Sequence, residues 1–127
     1  ESDPLATSRW GYTNVRLDVA VLAPHVCEGA SGVARTEVPA WQRAVGTLVL
    51  VHEAFHLRHW RYRRDEAKVE CQAIVYFIDA AEKLGASEAE AEDLYPYALA
   101  WHWHQVQLLS WWRDPTCLIP PWIPPSP

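Results

Sequence analysis

The segment that most limits the fold is His52-Glu53-Ala54-Phe55-His56, set inside the apolar run from Val45 to Leu57. A run that greasy has to be buried, and on a helix residues four apart lie on one face. His52 and His56 therefore project two imidazoles from one flank of a central helix. Rings so spaced can bind one metal ion. Glu53 then stands beside that ion, where a carboxylate can take a proton from bound water. A lone buried His is more often a hydrogen-bonded core residue. A pair at this spacing, with Glu between and an acidic helix next, turns the reading toward metal.

Two His make half of a tetrahedral site. A catalytic zinc takes a third protein ligand and keeps one position for water. The next acidic cluster, Asp65-Glu66-Ala67-Lys68-Val69-Glu70, opens a second helical pattern. Glu66 and Glu70 share a face, so one can bind the metal while the other hydrogen-bonds a ligand imidazole from behind. His59, three residues after His56, competes as a ligand but ranks below Glu66.

HExxH followed by a ligand Glu on the next helix resembles the gluzincin arrangement of zinc metallopeptidases. In that family the ligand Glu is followed by Ala, with an acidic residue four positions on, and Glu66-Ala67-Lys68-Val69-Glu70 fits. The resemblance implies that His52, His56 and Glu66 hold zinc, that Glu53 is the general base, and that Glu70 supports a ligand imidazole. The chain also resembles a group of short bacterial single-domain zincin-like proteins. These share the order strand, Cys, HExxHLR, Asp-Glu-Ala-x-x-Glu-Cys, and a late Cys near Pro and Trp. The matching residues are Cys27, His52 to Arg58, Asp65 to Cys71, and Cys117 before Pro120-Pro121-Trp122. That likeness implies a minimal zincin-like domain and zinc but supplies no substrate; a peptide or protein substrate is what the metallopeptidase resemblance implies. The link from His56 to Glu66 is shorter than in thermolysin-like members, so a tight turn must return the second helix. Failing that, Glu70 takes the ligand role.

At 127 residues the chain reads as a single domain, and with half its residues hydrophobic and eight Trp it can bury a core. The formal charge of −5 argues against nucleic acid or an anionic membrane as partner. The Arg-rich stretch from Arg58 to Arg64 has the composition to grip an anion, but reads better as a solvated loop complementing a helix C-terminus. No apolar run reaches membrane-spanning length. No signal peptide is visible, and a start at Glu1-Ser2-Asp3-Pro4 without any Met reads as a mature or trimmed form of something longer. Three Cys without CxxC spacing argue against a thiolate zinc site. They allow one disulfide plus a free thiol outside the cytosol, or three thiols inside it. Cys71 is either buried and inert or bonded to Cys27 or Cys117. The resemblance favours an extracytoplasmic or secreted location.

The patterns describe a mainly α fold: a core of three to four helices with an N-terminal β-strand or small β element. Residues 1–12 read as an irregular arm. Asn14 to Leu22 alternates apolar and polar residues, as a lone edge strand or half of a hairpin does. Such a strand either covers the core or pairs with an extended peptide. A short helical turn falls within Val26 to Val33. Thr36 reads as the N-cap of a helix from Pro39 to Trp60, with Trp41, Ala44, Val45, Leu48, Val49, Val51, His52, Phe55 and His56 on its apolar side. A second helix runs from Asp65 to Leu84 and stops at Gly85, with Val69, Ala73, Tyr76, Phe77 and Ala80 facing the core. Ser87 and Glu90 form a capping box. Pro96 breaks or kinks the helix that this box opens, and a further helix runs from there to Trp112.

That last helix holds the candidate oxyanion donors His102 and His104, with Tyr95 and Tyr97 at its start. Positions two apart diverge on a helix, so Trp101-His102-Trp103-His104 reads first as core and rim packing. Residues 113–127 form a Pro-rich extended tail, laid back by Ile119 and Trp122, or serving as an arm toward a partner protein or across the cleft as an inhibitor. The function that these residues describe is a small zinc-dependent metallopeptidase or related hydrolase. The alternative is a non-proteolytic zinc-binding helical domain with a structural or partner-binding role. A di-iron bundle would use Glu53-x-x-His56, but the chain has no second such element.

Overall fold

The computed structural model describes residues 10–14, 16–17, 19–58 and 65–120. Strands β1 (Gly11–Asn14) and β2 (Val19–Leu22) pair antiparallel, Gly11 opposite Leu22 and Asn14 opposite Val19. The segment from Asn14 to Leu22, expected as a lone edge strand or as half of a hairpin, holds the end of β1, the turn and β2 of a hairpin, and the irregular arm expected over residues 1–12 ends sooner, since Gly11 and Tyr12 belong to β1. Asn14 causes the interruption. Its Oδ1 accepts from the backbone N–H groups of Arg16 at 3.1 Å and Leu17 at 3.2 Å, closing the chain into a turn.

Helix α1 (Pro24–Ser31) carries Pro in its first turn, where the missing N–H costs nothing. Helix α2 (Ala40–Arg58) comes next. The carbonyl of Pro39 accepts from the Arg43 N–H at 3.0 Å, so the helix begins directly after Pro39, and Thr36 lies in a turn upstream rather than at the N-cap. The expected end near Trp60, with His59 and the Arg-rich run to Arg64, lies outside the described residues. The two helices approach closely through Gly29 and Gly46. A Cβ on Gly46 would stand 2.7 Å from the Val26 carbonyl oxygen.

The second expected helix is two. Helix α3 (Glu66–Val75) is capped by Asp65, whose side chain accepts from the Lys68 N–H at 3.0 Å. Tyr76 leaves helical geometry, and α4 (Phe77–Lys83) resumes with a new phase. The β-branched pair Ile74-Val75 precedes the break, where helix propensity is weak. The offset leaves Tyr76 exposed, not in the core as expected, while Phe77 and Ala81 turn fully inward. Gly85, at φ 116°, ends α4 in a conformation that suits glycine. Trp41 is likewise on the surface of α2.

Helix α5 (Glu88–Leu108) opens on the reciprocal Ser87–Glu90 box and passes through Pro96 unbroken. Pro96 and Glu92 are both exposed, so the carbonyl that loses its donor there is open to water. A short 3-10 turn, Ser110–Trp112, takes the place of the expected helix end. Beyond it, Cys117 is bonded to Cys71 and Ile119 packs on the core, while Cys27 is free and exposed. Trp122 lies outside the described residues. The fold is thus mainly helical with a small N-terminal sheet, built around Leu48, Ile74, Phe77, Leu94 and Ala98. No helix among the described residues is long and apolar enough to cross a membrane.

Candidate metal centre

Helix α2 is buried along the flank that carries His52, Glu53 and His56. Helix α3 returns beside it and brings Glu66 and Glu70 to the same place. His52 Nε2 lies 2.7 Å from Glu66 Oε2, His56 Nε2 lies 3.1 Å from Glu66 Oε1, and the two Nε2 atoms are 3.2 Å apart. These three residues can hold a metal ion. Ligand atoms about a tetrahedral zinc stand about 3.3–3.4 Å apart when each bond is about 2.0–2.1 Å, so the triangle needs to widen by roughly 0.6–0.7 Å at its narrowest side. Basic atoms this close repel unless a proton or a cation lies among them, which is the chemistry of a metal site.

Glu70 stands behind His52. It has no exposed surface, and its Oε2 accepts from His52 Nδ1 at 2.6 Å. With Nδ1 giving its proton to Glu70, Nε2 is the nitrogen that faces the ligand triangle. Sequence alone leaves Glu66 and Glu70 open between the two roles. The geometry puts Glu66 among the three converging donors and Glu70 on the far nitrogen. His56 Nδ1 is buried and has no hydrogen-bond partner among the described residues.

Charge follows the same arrangement. Burial pulls His52 toward its neutral form, but the hydrogen bonds and charges of Glu66 and Glu70 outweigh it and raise the imidazole to about 10. Burial pushes Glu66 up, yet the bonds to His52 and His56 hold it at about 2. Glu70 is desolvated too, and its contacts with His102 and His52 keep it below the usual carboxylate range.

Glu53 is buried, and the Thr13 hydroxyl of β1 donates to its Oε2. His102 lies against Glu70, with Nδ1 at 3.3 Å from Oε1. Tyr95 packs on Phe77 in the core, where burial pushes its phenol up. Tyr97 and His104 are exposed. Of the four candidate oxyanion donors, His102 alone joins the hydrogen-bonded cluster of the described residues. Among the described residues, two further ones reach the site from segments whose own patterns carry no metal signal. One is Thr13. The other is Trp112, whose indole stacks on His52 with ring centroids 5.2 Å apart and planes 20° apart.

Comparison of the chain with protein-family models, with curated proteins and with solved structures finds no match. What defines the protein is therefore its own architecture: a small helical protein with a His-His-Glu group that can take a metal ion.

Proposed function

We propose that the chain is a small zinc-dependent hydrolase of the gluzincin metallopeptidase kind. The observation that supports this is the convergence of His52, His56 and Glu66 while Glu53 occupies the adjoining position of the same helix. In this reading His52, His56 and Glu66 would hold the ion. Zinc bound there would supply Lewis acidity toward water and a scissile carbonyl. Glu53 accepts the proton of the attacking water and returns it to the leaving amine. Thr13 holds the Glu53 carboxylate, and Glu70 holds the Nδ1 proton of His52.

A non-proteolytic zinc-binding domain is the second reading. The burial of Glu53 and the Trp112 ring over His52 favour it, since both restrict approach to the site. Elemental analysis with X-ray absorption on the purified chain separates the two. Two imidazoles, one carboxylate and an exchangeable water support hydrolysis, and a peptide-library screen then identifies substrates. A site closed by four protein ligands supports the structural reading. Glu53→Gln should keep stoichiometric zinc and lower hydrolysis by about 10²–10⁴-fold. Loss of zinc in that variant would make Glu53 itself a ligand.

A further inference from the structure

The segment after α5 is fastened to the helix that carries Glu66 and Glu70. Cys117 is disulfide-bonded to Cys71, the residue after Glu70. Lys68 Nζ lies 3.0 Å from Asp114 Oδ2 and 3.2 Å from Thr116 Oγ1. Thr116 in turn donates to Asp114 Oδ1 at 2.6 Å, and Trp103 Nε1 donates to the Pro120 carbonyl at 3.1 Å. What this fastening delivers is Trp112, laid face to face on His52, with its Nε1 buried and without a hydrogen-bond partner among the described residues.

We propose that residues 110–120 form a strap that completes the metal centre: Trp112 is a positioning residue for His52, and the Cys71–Cys117 bond makes metal affinity depend on oxidation. This rests on the metal reading above. Glu70 holds one atom of the His52 ring, Nδ1. A ring held at its Cβ attachment and at one nitrogen can still tilt about the line between them. A flat aromatic surface against its face removes that tilt and aims Nε2 at the triangle shared with His56 and Glu66. The indole also keeps water from that side of the ligand, and the apolar shell around a site controls its solvent access and local dielectric.

The attachments are unequal. Lys68 is substantially exposed, and an exposed ion pair contributes little. The disulfide closes a separation of 46 residues and acts directly on α3. A phosphine reductant breaks the S–S bond by transferring two electrons to the sulfurs. The two thiols take two protons from water, and the phosphine takes the oxygen as its oxide. The strap is then left with its surface contacts and the end of α5, and Trp112 is free to leave His52.

The test uses the full chain in a Cys27→Ser background, which removes the exposed free thiol. Metal is stripped and zinc affinity is measured by chelator competition at neutral pH. The forms compared are oxidised, phosphine-reduced, Cys71→Ala/Cys117→Ala, and Trp112→Ala or Trp112→Phe with the disulfide intact. Cobalt(II) spectra report the ligand geometry of each. Reduction, the double Cys variant and Trp112→Ala should each weaken zinc by about tenfold or more and shift the cobalt bands, the size seen when outer supports of ligands are lost. Trp112→Phe should recover most of the affinity, because it keeps a ring on the imidazole. Affinity and cobalt spectrum indifferent to reduction overturn the switch, and indifference to Trp112→Ala overturns the positioning role. Circular dichroism checks helix content; should the double Cys variant unfold, the Trp112 pair still decides. If the oxidised chain binds neither zinc nor cobalt, the metal reading itself has failed, a result distinct from an oxidation-independent site.

Discussion

Exchanging Glu70 for Gln tests the division of labour between the two glutamates. The side chain is fully buried and nearly isosteric with Gln, so packing is preserved. One oxygen remains to accept from His52 Nδ1, now 2.6 Å from Oε2, and the amide NH₂ then faces His102 Nδ1, now 3.3 Å from Oε1. His102 can meet an NH₂ donor by presenting a bare Nδ1, so that side costs little. What is lost is the charge behind His52. A hydrogen bond to a charged group contributes about 1.5–3 kcal/mol and a neutral one about 1, so the difference is about 0.5–2 kcal/mol. That corresponds to zinc binding weaker by roughly 2–30-fold. Glu66→Gln instead neutralises an atom of the ligand triangle itself and should exceed the roughly hundredfold ceiling for outer partners. Chelator competition on both variants, with helix content checked by circular dichroism, gives the order. A Glu70→Gln loss equal to or larger than that of Glu66→Gln would reverse the assignment and make Glu70 the ligand.

Gly46→Ala places a methyl group 2.7 Å from the Val26 carbonyl oxygen and 2.8 Å from the Ala30 nitrogen, so α1 and α2 must separate. A destabilisation of about 1–3 kcal/mol is expected in denaturant unfolding, and an unchanged midpoint would show that the helices do not pack this closely. Thr13→Val removes the hydroxyl on Glu53 while keeping its shape. Zinc should stay and hydrolysis of a screened peptide should fall roughly tenfold, the value of a hydrogen bond to a charged group of about 1.5 kcal/mol; an unchanged rate would remove Thr13 from the site. Zinc uptake should release the proton that His52 holds up to about pH 10, so apparent affinity should rise about tenfold per pH unit from neutrality and level off near that value. The metal-free chain shows the opposite linkage. The raised His52 contributes stability that is complete below its unfolded value of about 6.5 and lost as pH rises through about 10. The lowered Glu66 contributes stability present above about 4.5 and lost as pH falls through about 2. Zinc affinity independent of pH between about 7 and 9 would show that His52 is not the proton donor.

The parts of the site that the sequence discloses are those set by helical periodicity. His52 and His56, and Glu66 and Glu70, each share a face because they are four apart, and no tertiary knowledge is needed to see it. The Ser87–Glu90 box is local in the same way. The break at Tyr76 is hidden because neither Gly nor Pro marks it, and its effect, turning Phe77 and Ala81 inward while exposing Tyr76, is a matter of packing. Pro96 misleads in the other direction. A proline disrupts a helix through the carbonyl it leaves unpaired, and at an exposed position water can satisfy that carbonyl. Asn14 is the one residue whose local chemistry, a side chain that closes its own turn, is enough to split the expected strand without any distant contact.

Long-range contacts supply what periodicity cannot. Two helices can offer three donor atoms, but the tautomer, ring plane and base orientation that make those atoms useful are set from outside the pair. Glu70 fixes the His52 proton and is itself engaged by His102, thirty-two residues on. Thr13 reaches Glu53 across forty residues. Trp112 stacks on His52 from sixty residues on, in the segment whose Cys117 is bonded to Cys71. Substitution of His52 or His56 asks only whether metal is held. A domain that merely stores zinc has no use for an oriented base, so Thr13→Val would leave its every property but stability unchanged. In a hydrolase the same variant lowers turnover at full metal occupancy. A discriminating position besides Glu53 therefore lies on the hairpin, outside the motif that first marks the site.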